Sequence, residues 1–331
     1  MSKLAQMKAR LSPVASAIQI QVGDAFNMDA LAQLFIKIEE QNELTPQLAQ
    51  VLDYAKFIPV MSVSAVYGGG EILSRKKGVG LGEDYSGTGD DIPLAEVEYD
   101  TVNLPVKVGV IGYQYSVIEL VTAQKMNIQL EADKVQAANL AAEKHMSNVA
   151  WYGYSKANAS GQLQQVNGFL NQTGVKIITG QHDWATASIE EVLSDFNTSL
   201  ADSADLFDGD SSIEPDTYLM ASNQYTHLST RVVPDSGGKT FLKYIEENNI
   251  FATQGKALTL RGSGRGNGKG TANADRSIIY RRDPSCIQFK GTSVEFLAAQ
   301  AKGLDVLVPG HYKYQGVWLK RVDSLRYLDH A

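Results

Sequence analysis

The chain has 331 residues, 44% apolar and 20% charged, with a formal net charge of −7 and one cysteine, Cys286; that length suits two domains that share an interface. No basic stretch exceeds Arg75-Lys76-Lys77, which excludes a dedicated nucleic-acid reader, and a lone cysteine excludes an intrachain disulfide or a multi-cysteine zinc site. No apolar run approaches the roughly 18 residues of a membrane helix, and Met1 to Ser12 lacks the apolar block of a signal peptide, so a soluble cytosolic chain with no membrane partner is expected.

The first sixty residues read as an arm with short helices. Asn27 is placed to cap a helix whose Leu31, Leu34, Phe35 and Ile38 share one face. Thr45-Pro46 is a second helix start, followed by Leu48, Val51 and Leu52. Met61, Val63, Ala65 and Tyr67 then alternate as a half-buried strand does. Eight glycines fall between Gly68 and Gly89, among Arg75, Lys76, Lys77, Glu83, Asp84, Asp90 and Asp91. Alternation resumes in Val102, Leu104, Val106, Val108 and Val110. The pattern predicts a long hairpin with a glycine-rich tip, about 30 Å per arm. A lone two-stranded ribbon is marginal in water. The simplest cover for it is another copy of the chain.

Ser116-Val117-Ile118-Glu119 forms a capping box, and no Gly or Pro occurs from Tyr113 to Tyr152. Val121, Ile128, Val135, Ala142 and Val149 recur every seven residues, and Ala137, Ala138, Ala141 and Ala142 add a small-residue stripe. A helix over 116–151 follows, about 50 Å long. Gly153 is placed to end it in a left-handed turn. Val166 to Asn171 reads as a turn with apolar anchors. A second capping box, Ser188 to Glu191, opens a helix bearing Val192, Leu193, Phe196 and Leu200. Composition shifts after the acidic run Asp202 to Asp210, which places a domain boundary near Ser212. Beyond it come a buried strand at Tyr218 to Ala221, helices at 223–231 and 241–247, and strands around Ile278-Ile279-Tyr280 and Ile287-Gln288-Phe289. Gly316 to Leu319 with Tyr327-Leu328 reads as a final strand pair.

Taken in order, these parts resemble the Hong Kong 97-type major capsid proteins of tailed bacteriophages, over nearly the whole chain. Gly168-Phe169-Leu170-Asn171 is similar to the family's recurring Gly-aliphatic-Leu-Asn segment after its spine helix. Pro215 to Met220, with Tyr225 and Leu228, looks like the opening of the axial domain, and Val294 to Leu297 through Val308-Pro309 like the closing strands. The resemblance implies an α+β capsid fold. Its parts would be an N-terminal arm (1–60), an extended E-loop hairpin with flanking strands (61–112), a peripheral domain with the spine helix (113–212 and 285–312) and an axial domain (213–284 and 313–331). It implies no catalytic residue, no metal and no cofactor. The implied function is self-assembly into hexamers and pentamers of an icosahedral shell around double-stranded DNA, in a virion assembled in the host bacterial cytoplasm. Scaffold, portal and decoration proteins are the further partners it suggests. Inter-subunit contacts are expected at Arg75, Lys76, Lys77, Glu83 and Asp84. Some relatives crosslink a loop lysine to a neighbour's asparagine; Lys76 and Lys77 lie in that loop, but no asparagine partner is identifiable.

Enzyme signals are weak. Arg261 to Thr271 invites a phosphate-loop reading, yet Ser263 and Gly270 stand where a Walker loop needs Gly and Ser or Thr. A flexible axial loop is expected instead, with Arg261, Arg265 and Lys269 near the capsomer centre. Ser74 and Lys77 match Ser-x-x-Lys without its companion motifs, and Gly153 to Ala157 falls short of a nucleophile elbow. His145, His182, His227, His311 and His330 show no ligand spacing. Trp151, Trp184 and Trp318 read as packing anchors. An encapsulin-type compartment is the alternative within the same fold, and a serine hydrolase a remote one.

Overall fold

The computed structural model describes residues 53–63, 70–79, 95–126, 130–157, 163–204, 213–234 and 236–330. The helices expected near Asn27 and Thr45 fall outside this set. In chain order the elements begin with α1 (Tyr54–Phe57), β1 (Val60–Met61), β2 (Gly70–Val79), β3 (Glu96–Pro105), β4 (Lys107–Ser116), α2 (Val117–Met126) and α3 (Leu130–Tyr152). Next come β5 (Tyr154–Ala157), β6 (Leu163–Val166), β7 (Ile177–Thr179), α4 (Ile189–Ala204), β8 (Thr217–Ala221), α5 (Ser222–Thr230), α6 (Phe241–Asn248) and α7 (Ile250–Thr253). The chain closes with β9 (Thr259–Ser263), β10 (Arg276–Tyr280), β11 (Ile287–Gly291), β12 (Glu295–Phe296), β13 (Gln300–Lys302), β14 (Asp305–Leu319) and β15 (Leu325–Asp329). Two compact units result. The smaller holds Val108–Ser147 and Thr292–Lys313; the larger holds Tyr54–Lys107, Asn148–Gly291 and Tyr314–Ala331.

The larger unit is built on a five-stranded sheet of order β7-β15-β10-β8-β9. Every residue of β8, β10 and β15 is buried. Apolar side chains fill most of these strands because both faces are covered, while Arg276, Ser277, Arg326 and Asp329 are buried polar exceptions. On one face Tyr218, Met220, Ile279 and Leu328 meet Val192, Phe196 and Leu200 of α4, Leu228 of α5, Phe241 and Ile245 of α6, and Phe251 of α7. Phe196 stacks on Tyr218 at 4.4 Å between ring centroids. On the other face Tyr280 meets Phe169, which in turn meets Trp151. The Ser188 capping box forms as expected: the Ser188 amide donates to Glu191 Oε2 at 2.8 Å, and the Glu191 amide to Ser188 Oγ at 3.3 Å. Glu191 is thereby held below the usual carboxylate range, chiefly by the Ser188 amide. Also in this unit, β11 pairs in parallel with β1 and antiparallel with the end of β14, from Ile287↔Leu319 to Gly291↔Tyr314.

In the smaller unit the first part of β14 pairs with β4, β12 and β13. A Cβ on Gly109 would fall 2.2 Å from Tyr312 Cζ, so glycine is the residue that lets the Tyr312 ring lie over the strand. The Tyr312 hydroxyl meets His145 Nδ1 of α3 at 2.8 Å. At the start of α2, the Ser116 amide donates to Glu119 Oε2 at 3.4 Å and Ser116 Oγ accepts from the Ile118 amide at 3.3 Å. Lys134 of α3 then bonds both Glu119 and the Gln114 carbonyl.

Several expectations are corrected here. The second arm of the hairpin ends at Pro105; Val108 and Val110 belong to β4, which pairs with β14. The strand expected over Met61 to Tyr67 is described only as β1, with 64–69 outside the described residues. The spine is described as two helices, α2 and α3, with 127–129 outside. Only Ala138 and Ala142 of the alanine stripe are buried, while Ala137 and Ala141 are exposed. The final strand pair does not exist as such: β14 pairs with β11, whereas β15 pairs with β10 and β7.

Candidate assembly surfaces

Strands β2 and β3 form a two-stranded sheet of their own, antiparallel over ten residues from Gly70↔Pro105 to Val79↔Glu96. Among the described residues no third strand pairs with either edge. The register sets Arg75 opposite Asp100, Lys76 opposite Tyr99 and Lys77 opposite Glu98. Two of the three candidate cations therefore have acidic register partners within the hairpin, which sequence reasoning missed because it looked for them on a neighbour. Glu83 and Asp84 lie outside the described residues. Ser74 sits opposite Thr101 in the same ladder, and Ser155 opposite Gln165 in the β5–β6 ribbon.

Among the described residues of the smaller unit, the buried apolar ones are Ala123, Ala138, Ala142, Met146, Val308 and Tyr312, half of them alanines. Six large apolar side chains of the same described set are exposed: Val108, Val110, Val117, Ile118, Leu297 and Leu304. Val110 is 78% exposed and Leu304 69%. Leu304 and Val117 are adjacent, since the Val117 amide donates to the Leu304 carbonyl at 2.9 Å. Exposed apolar residues grouped on these described segments make them a candidate contact surface.

The segment 261–275 is not the open loop expected. Arg261 lies in β9, which runs parallel to β8, and its guanidinium donates to the Lys56 carbonyl at 3.1 Å. Lys269 lies 5.2 Å from the Tyr152 ring centroid, and the Arg265 carbonyl accepts from the Tyr152 hydroxyl at 3.4 Å. The Gly268 amide donates to Asp275 at 2.8 Å, and the Thr271 amide and hydroxyl both donate to Asp329 at 2.8 Å. Buried Asp329 and half-buried Asp275 thus pin the turn. No sequence motif announces them, because they lie up to 58 residues away from their donors.

The structure also holds a serine–histidine contact that the sequence does not signal: Ser277 Oγ meets His330 Nε2 at 2.6 Å. Ser277 is fully buried and His330 4% exposed, with the imidazole edge-on to Trp184 at 4.4 Å. No substrate reaches such a pair, so its role is packing. Burial pushes His330 down to about 4, against the opposing pull of Asp275, Asp329 and Asp195. The folded value lies below the unfolded one, so this stability is present above about pH 6.5 and lost as pH falls toward 4, up to roughly 3 kcal/mol. Urea unfolding at pH 7.5 and 4.5 measures this. His330→Gln is expected to flatten that window, and an unchanged pH slope would contradict the assignment. Among the described residues no helix is long and apolar enough to cross a membrane.

A two-stranded ribbon with no third strand on either edge among the described residues, a smaller unit with exposed apolar residues and a five-stranded sheet with three fully buried strands are the parts of a shell-building subunit of the Hong Kong 97 capsid fold. The solved structures agree on that fold. The capsid of Myoviridae phage XM1 matches with a TM-score of 0.68 at 15% identity, over 85% of this chain and 92% of that one. The capsid of the native GTA particle gives 0.55 at 10% identity, over 85% and 90%. A structure from Mycobacterium phage Bobi gives 0.54 at 11%, over 96% and 98%. No curated protein matches by sequence. The family model for the major capsid protein matches residues 83–330, and the chain belongs to that family. It is a structural protein of the capsid, not an enzyme. Neither the encapsulin-type compartment nor the serine hydrolase is favoured by these matches.

Proposed function

We propose that the chain builds hexamers and pentamers of an icosahedral head that encloses double-stranded DNA, assembled in the host bacterial cytoplasm. The observation that carries this reading is the imbalance among the described residues of the smaller unit, whose exposed large apolar side chains match the buried apolar ones in number and exceed them in size. Copies of the chain remove that surface from water at about 25 cal/mol per Å². The E-loop hairpin and the N-terminal arm lie over adjacent subunits in this arrangement, and residues 213–284 with 313–331 gather around the capsomer centre. Lys76, Glu83 and Asp84 contact a neighbour, while Arg75 and Lys77 divide their charge between the hairpin's own carboxylates and those across the interface. Arg265 and Lys269 face the capsomer centre, and Arg261 serves inside its own subunit. Scaffold, portal and decoration proteins remain the partners a phage head calls for. The net charge of −7 favours an inner wall that does not adhere to packed DNA.

Deleting Gly78 to Gly89 is expected to leave the larger unit folded and to abolish shells in sedimentation. Particles of normal size and yield from the deleted chain would refute the proposal.

A further inference from the structure

The segment 54–61 is held more tightly than its length explains. A four-residue helix is far below the length at which helices persist alone, and its final carbonyls have no partners inside it. In α1 those carbonyls are taken by three side chains from distant parts of the larger unit. Arg282 Nη2 donates to the Ala55 carbonyl at 3.4 Å, Arg261 Nη1 to Lys56 at 3.1 Å and the Tyr280 hydroxyl to Phe57 at 2.8 Å. Cations at a helix C-terminus also meet the negative end of its dipole. The apolar side is equally occupied. Phe57 packs edge-on against Trp151 at 5.5 Å, Tyr54 against Phe289 at 5.1 Å, and Ile58 is fully buried. The Phe289 amide donates to the Pro59 carbonyl at 2.8 Å, and β1 continues in parallel along β11.

By sequence, residues 1–53 precede this segment and the β2–β3 hairpin follows it. In sequence, one eight-residue stretch therefore lies between the two elements proposed to reach neighbouring subunits. We infer that residues 54–61 are a clamped root for both, with Arg261 and Arg282 as positioning residues that fix where the arm and the hairpin depart. The inference rests on the shell-building reading. A subunit whose root is released keeps its sheet and its helical core, but presents arm and hairpin in many directions. Arginine suits this task because its planar fork stays charged and reaches backbone carbonyls at fixed angles.

The test uses the full-length chain carrying Arg261→Ala with Arg282→Ala. Hydrogen exchange is followed in peptides covering 54–61 and 217–221, beside particle yield by sedimentation. Exchange at 54–61 is expected to rise at least about tenfold with 217–221 unchanged, and particle yield to fall by a similar factor. Unchanged protection at 54–61 overturns the clamp. Released protection with wild-type yield overturns the positioning role. If 217–221 also loses protection, Arg282→Ala alone, at an exposed position, repeats the measurement under the same criteria. A wild-type chain that forms no particles removes the shell reading and the positioning role together, while its exchange data still report on the clamp.

Discussion

Asp329→Ala is expected to lower the unfolding free energy of the larger unit by about 3–5 kcal/mol, because it strands a buried guanidinium. Asp329 is 2% exposed and receives Arg276 Nε at 2.6 Å and Nη2 at 2.8 Å. The same carboxylate takes the Thr271 amide and hydroxyl. Arg276 spends its remaining arm on the Leu170 carbonyl at 2.8 Å and lies 4.6 Å from the Tyr327 ring centroid. Alanine leaves that charge with no counter-ion and releases the 264–275 turn. Burial alone would raise the Asp329 carboxyl, but Arg276 and Thr271 outweigh it and hold it below the usual carboxylate range. The folded value is depressed, so the stabilisation is present at neutral pH and disappears as pH falls through that lower value. The gap between wild type and variant should therefore be wide at pH 7 in urea unfolding and narrow in strong acid. Replacing both partners, Arg276→Met with Asp329→Leu, should recover most of the loss, since the cost lies in the orphaned charge. A deficit below about 1 kcal/mol for Asp329→Ala alone would show that the pair is not the staple it looks like.

What was legible beforehand follows the range of the interaction. Both capping boxes, the left-handed Gly153 at φ 74° and the buried strand β8 are set by residues within a few positions of each other, and local pattern finds them. The hairpin was legible as a hairpin, but its first arm, β2, lies within the stretch read as the glycine-rich tip and not at Met61 to Tyr67. Its far limit was not legible either, because Val102, Leu104, Val108 and Val110 keep one parity through the break at Pro105. That proline was the signal available, since a proline lacks the N–H a ladder needs and sits at strand ends. The pairing of β14 with β11 and of β15 with β10 depends on partners that periodicity cannot name. Arg261 shows the same limit. A cation in a glycine-rich run reads as a solvent-facing charge, while its carbonyl acceptor on Lys56 lies 205 residues away. The candidate surfaces were legible as a need for cover. The identity of the exposed residues Val117, Ile118 and Leu304 was not, because only the packed structure tells which apolar residues fail to find a core.

Gly168→Ala should cost the larger unit at least about 3 kcal/mol, at the upper end of what overpacking produces, since nothing near it can yield. A Cβ there would lie 2.3 Å from the Gly153 nitrogen, 2.6 Å from the Tyr152 carbonyl carbon and 2.7 Å from that of Trp151. All three are main-chain atoms at the end of α3. The closeness exists for a reason visible in the hydrogen bonds. The last four carbonyls of a helix have no partners further along it. Here Val149 is met by the Gly153 amide at 2.9 Å, Ala150 by the Phe169 amide at 2.7 Å and Trp151 by the Leu170 amide at 3.0 Å. Tyr152 is met by Asn171 Nδ2 at 2.9 Å, while Asn171 Oδ1 takes the Gly168 amide at 2.6 Å. The Gly-Phe-Leu-Asn segment is thus an external cap, with its glycine as the point of contact and its asparagine as the lock. Phe169 and Leu170, both buried, carry the cap into the sheet beside Trp151. The variant should lose the near-ultraviolet signal of Trp151 and unfold at lower urea, whereas Asn171→Ala should cost only about 1–2 kcal/mol for its bonds. Equal costs for the two would mean that the cap works through hydrogen bonding alone, and that the helix end and the turn stand further apart than 2.3 Å implies.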